Sequence, residues 1–164
     1  MKRLSDYTGL LQGDQDFVFR LLHKWEPQTT DISEKDHETA LIGWLRKWLE
    51  DVPMITQYGI ARGKADIVIE DRHLIELKLG FSADNPAEFQ RCLGQLETYR
   101  QKWVDKDRGP VYLLIVGESD TEFRDILHTW FKHTNAQYVT WNPFQIIEMS
   151  APAVTSAALA ASSA

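Results

Sequence analysis

The spacing of apolar residues changes period several times along the chain, and each change marks an element. Phe17, Val18, Leu21, Leu22 and Trp25 recur at helical spacing until Pro27, which predicts a leading helix within residues 1–30. His23, beside that stripe, reads as a partly exposed histidine and not a ligand. A second helix begins near Ser33, where Ser33 and Asp36 fit a capping box and Asp31 and Glu34 suit the positive end of a helix. Its apolar stripe is Leu41, Ile42, Leu45, Trp48 and Leu49, and Pro53 ends it. The period then becomes two. Residues 54–61 read as a strand, and Ile67, Ile69, Ile75, Leu77 and Leu79 alternate along two further arms joined near Asp71, Arg72 and His73. Asn85 as N-cap and Pro86 at the first helical position open a helix running from Ala87 to about Trp103. Residues 111–116 form an apolar run typical of a strand covered on both faces. A helix follows from Asp120 or Thr121, and residues 138–142 read as a last short strand. The order predicts an α/β fold, a mixed sheet with an antiparallel meander at one part and helices on both sides.

The alternation in the two central arms has a chemical consequence. If Ile67, Ile69, Ile75, Leu77 and Leu79 share the buried face, then Asp66, Val68, Glu70, Leu74, Glu76 and Lys78 share the other. A two-residue loop would pair residue 66 with 77 and turn Asp66 away from Glu76, so an odd loop is expected. Two carboxylates held close together repel, and a hard divalent cation between them relieves that repulsion. A lysine two residues further along can hold or polarise a water attacking phosphorus. That spacing suits metal-assisted phosphodiester hydrolysis; a solvated face of mixed charge would look the same. Glu38 lies on the core side of the second helix, either as a salt bridge at the core's rim or as an acid reaching the same metal. Arg62 and Lys64 are placed to meet a phosphate, or to be solvated edge charges. Gly59 and Gly63 suggest a bulge or close approach near them, and Gly94 suggests tight packing of the third helix.

Composition adjusts this picture only slightly. At 164 residues, 43% apolar and 26% charged, the chain reads as one soluble domain. It divides into a helical extension over 1–30, a core over 33–117, a helix and strand over 118–149, and an Ala/Ser-rich tail over 150–164. The lone Cys92 excludes an internal disulfide or a cysteine metal cluster, and its position suits the core. His128 and His133, five apart, do not share a helix face as a zinc pair would. With no run of about 18 apolar residues and no apolar leader, no membrane association and a cytoplasmic location are expected. The net charge of −6 and pI near 5.3 weigh against a dedicated nucleic-acid binder, unless basic residues concentrate locally.

Glu38, Asp66, the Glu76-Leu77-Lys78 triplet and the Gln95-x-x-x-Tyr99 pair stand in an order that resembles the PD-(D/E)xK nuclease superfamily. The pair on the third helix is similar to the RecB-like branch. The resemblance spans residues 33–117, with Ala65 where the name-giving motif has proline. It implies a restriction-endonuclease-like three-layer α/β/α sandwich. It also implies a metal-dependent deoxyribonuclease acting in repair, recombination or defence. Asp66 and Glu76 would bind magnesium or manganese with the Leu77 carbonyl, and Glu38 would assist. Lys78 would orient the attacking water, and Gln95 and Tyr99 would position the nucleic-acid backbone or site waters, although an aromatic at position 99 also suits the core. A nuclease-fold module that binds without cutting and an RNA-directed hydrolase remain alternatives. A homodimer or larger complex stays open.

Overall fold

The computed structural model describes residues 14–28 and 33–150. The Ala/Ser-rich tail, apart from Ser150, lies outside them, as do the first residues of the predicted extension. Two helices lead, α1 (Asp14–Lys24) and α2 (Glu34–Trp48), followed by the meander β1 (Met54–Ile60), β2 (Gly63–Ile69) and β3 (His73–Leu79). Then come α3 (Pro86–Lys102), a 3-10 turn at Val104–Lys106, β4 (Val111–Val116), α4 (Thr121–Asn135) and β5 (Phe144–Met149). The five strands form one mixed sheet in the order β1-β2-β3-β4-β5. The first three are antiparallel, and β4 and β5 add parallel to β3 through helical crossovers.

Both faces of the sheet are covered. On one, Ile67, Ile69, Ile75, Leu77, Tyr112 and Leu114 pack against Val18 and Leu22 of α1 and Leu41 and Leu45 of α2. On the other, Val68, Leu74, Leu113 and Ile115 pack against Phe89, Cys92 and Leu96 of α3 and Leu127 and Phe131 of α4. Every residue of β4 is buried, as its unbroken apolar run requires. Each such side chain contributes roughly 1.5–3 kcal/mol on leaving water. Ser33 caps α2 in the expected box: its hydroxyl accepts from Asp36 N at 3.0 Å, and Asp36 Oδ2 accepts from Ser33 N at 3.1 Å.

The β2–β3 register pairs Ile67 with Ile75, Val68 with Leu74 and Ile69 with His73, which leaves Glu70, Asp71 and Arg72 as an odd loop. Carried one step further, that register sets residue 66 opposite 76. Four expectations need correction. Residues 138–142 form no strand, and Val139 is fully exposed; the strand begins after Pro143. Phe144 and Ile147 there reach the two opposite cores, and such two-sided burial beside β4 outweighs the β propensity of the Tyr-Val-Thr-Trp stretch. Trp48, assigned to the apolar stripe of α2, is 51% exposed at the helix end. Neither Gly59 nor Gly94 is close to anything a Cβ would meet, and at Gly63 the nearest atom is 3.9 Å away, so no close approach explains them. The left-handed residues in β1 and its turn are Gln57 (φ 53°) and Ala61 (φ 53°).

A real close approach occurs at Gly80, where a Cβ would lie 2.1 Å from the Glu118 carbonyl oxygen. The chain leaving β3 is bound there to the chain leaving β4. Gly80 N donates to Val116 O at 2.9 Å, and Phe81 N donates to Ser119 Oγ at 2.9 Å. This contact fixes the end of β3 just beyond Lys78.

Candidate catalytic site at the strand fork

The β2–β3 ladder stops at Ile67 and Ile75, while β2 stays with β1 down to Gly63 and β3 stays with β4 up to Leu79. The two strands therefore fork. Beyond the fork the Leu77 N–H loses its strand partner, and a buried backbone donor needs another. Asp66 supplies it: Oδ2 accepts from Leu77 N at 2.8 Å. A strand residue's N–H and C=O point to the same side, so the Leu77 carbonyl also faces the fork.

Both helix layers reach this opening. Tyr99 of α3 donates from its hydroxyl to Glu76 Oε2 at 2.6 Å. Lys78 Nζ lies 3.1 Å from Glu76 Oε1 and 3.7 Å from Glu34 Oε1 of α2. Glu38 of α2 accepts from Gln57 Nε2 at 2.8 Å, and the same amide lies 3.5 Å from Asp66 Oδ1. Lys35 is 3.5 Å from Glu38. Glu38, Asp66, Glu76 and Lys78 are all less than a tenth exposed. Glu38 thus makes a salt bridge at the rim and stands one amide away from Asp66.

The electrostatics follow from four acids around one buried lysine. Burial, then the Glu76 carboxylate, push the Asp66 carboxyl up to about 7; the Leu77 N–H opposes this, and Glu38 adds to it. Burial would pull Lys78 down, but Glu76 and Glu34 outweigh it and hold the ammonium above its usual pKa. Burial and Glu76 raise the Tyr99 phenol, so the hydroxyl remains a donor. Burial takes the Cys92 thiol up to about 12, consistent with a core residue.

The excess of buried carboxylate fits a hard divalent cation. Among the described residues no three His, Cys, Asp or Glu side chains are grouped so as to hold a metal ion. Magnesium does not ask for such a cage; it takes one or two carboxylates, with water and phosphate oxygens completing its shell. Asp66, Glu76 and the Leu77 carbonyl are the donors of that kind, with Glu38 beside them.

The remaining sequence-predicted residues lie to one side. Arg62, Lys64, Gln95 and Tyr99 line a groove of about 540 Å³ between the β1–β2 turn and α3. Arg62 and Lys64 touch none of the acids described above. Gln95 Oε1 is buried without a hydrogen-bond partner. Sequence reasoning missed Gln57 and Glu34. Only the backbone reveals Gln57, whose left-handed conformation goes with the bridge its amide makes between Glu38 and Asp66. Glu34, one helical turn before Glu38, had a weak signal: residues four apart share a helix face. No protein-family model, curated protein or solved structure matches the chain.

Proposed function

We propose that the chain is a divalent-metal-dependent nuclease that hydrolyses phosphodiester bonds in DNA, built on the restriction-endonuclease-like fold of the PD-(D/E)xK superfamily. One observation carries the reading: buried Asp66, Glu76 and Lys78 meet where β2 and β3 part, with Asp66 held by the Leu77 N–H. The α/β sheet covered by helices on both faces is compatible with that fold.

Magnesium or manganese on Asp66, Glu76 and the Leu77 carbonyl would supply the positive charge that hydrolysis requires at the phosphate oxygens. The chain's own residues do the rest. Lys78, held as an ammonium between Glu76 and Glu34, donates to the attacking water and offsets charge developing on the phosphoryl group. Tyr99 fixes one Glu76 oxygen, leaving the carboxylate little freedom to turn. Gln57 keeps Glu38 beside Asp66. The test is cleavage of circular single-stranded, supercoiled and end-labelled linear DNA with magnesium or manganese. Cutting that needs both the metal and Asp66 supports the reading. Equal cutting by Asp66→Ala, or cutting confined to RNA, overturns it.

The net charge of −6 favours a second reading, a nuclease-fold module that binds within a larger complex without cutting. Calorimetric titration with magnesium separates the two. The enzyme reading expects binding that Asp66→Ala abolishes, and the scaffold reading expects none.

A further inference from the structure

Gly94 sits in the middle of α3, where glycine is among the poorest helix formers, and no neighbour requires it: a Cβ there would meet nothing within 4 Å. It lies instead in the groove beside the fork. The groove has two distinct parts. Ile60, Ala61 and Gly94 contribute apolar or bare backbone surface, and Thr98 turns its hydroxyl onto Gly94 O at 3.0 Å. Arg62, Lys64 and Arg91 supply the charge. Arg91 is paired with Glu88 at 2.6 Å, whereas Arg62 and Lys64 are exposed and form no ion pair among the described residues. In a chain of net charge −6, that local excess of cations is complementary to a polyanion.

We propose that this groove seats a single strand of DNA leading to the fork, its phosphates on Arg62 and Lys64 and its bases against the Gly94 floor. This inference rests on the nuclease reading for its choice of DNA. A duplex presents phosphates and keeps its bases stacked inside, so it would leave the apolar floor unused; an unpaired strand uses both parts.

The test is fluorescence anisotropy of the full chain in EDTA, with a labelled single-stranded DNA, the matched duplex and the matched RNA. Gly94→Leu fills the floor with a better helix former. Its Tm should rise by about 2–4 °C while single-strand affinity falls about tenfold or more. Gly43→Leu, at the equally open helix glycine in α2, should gain stability with affinity unchanged. Arg62→Gln with Lys64→Gln should weaken binding and flatten its salt dependence. Unchanged affinity in Gly94→Leu, or duplex or RNA bound as tightly as single-stranded DNA, overturns the proposal. Because binding is read without metal, metal-dependent cutting by a Gly94→Leu protein of normal affinity would refute the groove alone. Absent cutting with groove-dependent binding would refute the nuclease reading alone.

Discussion

At the scale of single residues, the site is stabilised by neighbours and strained by its own charge. Asp66 is fixed by the Leu77 N–H, yet its carboxyl is raised from 3.8 to about 7 by burial and by Glu76. A folded pKa above the unfolded value means that ionisation opposes folding. The contribution is present below pH 3.8 and lost as pH rises through about 7, a difference of about 4 kcal/mol. Asp66→Asn keeps an oxygen for the Leu77 N–H and removes the charge. Urea unfolding at pH 8 should show a gain of up to about 4 kcal/mol and at pH 4 almost none. A loss of stability at pH 8 would mean that the carboxylate is already compensated. Magnesium should raise the Tm of the wild type at pH 8 and leave that of Asp66→Asn unchanged, because only the carboxylate needs the cation.

At the scale of elements, β3 carries chemistry at one end and a buried histidine at the other. His73 opens the strand with Nδ1 3.2 Å from the Tyr112 hydroxyl, 3% exposed, and burial takes its pKa down from 6.5 to about 4. A lowered folded pKa means that the neutral ring is the folded form. Its contribution is complete above pH 6.5 and is lost as pH falls towards 4, in total about 3 kcal/mol. Between pH 6.5 and 4 the loss at His73 runs against the gain at Asp66, so acidification should favour His73→Gln more than the wild type; parallel slopes would refute the assignment. The β1–β2 turn carries a different strain. Ile60 pairs with Gly63 across a two-residue loop whose first member, Ala61, has φ 53°. Left-handed backbone costs an ordinary residue about 1–2 kcal/mol, which glycine avoids. Ala61→Gly should therefore raise Tm by a few degrees, and a fall would show that Ala61 packing matters more than its backbone.

At the scale of the whole molecule, the readable parts were those where one period admits a single solution. Parity in β2 and β3 allowed Asp66 and Glu76 to face one another only across an odd loop, and the ladder has that loop. The order of helices and strands followed from the changes of period, and the capping box located the start of α2. What escaped depended on tertiary geometry. Residues 138–142 have the composition of a strand, but the neighbour of β4 is chosen by which segment can bury side chains on both faces, and that segment begins at Phe144. Gly94 reads in sequence as a packing glycine and lies open in space. Gln57 carries no pattern because its role comes from a backbone excursion. The fork itself was hidden, since alternation tells which residues share a face and not where two strands part.

The most direct measurement is single-turnover cleavage of labelled DNA in magnesium by wild type, Asp66→Asn and Lys78→Met, with folding of each checked by circular dichroism. Both variants should be folded and each should cut at least about 10²-fold more slowly, because one loses a cation ligand and the other its charged donor. Wild-type rates in either folded variant would contradict the nuclease reading.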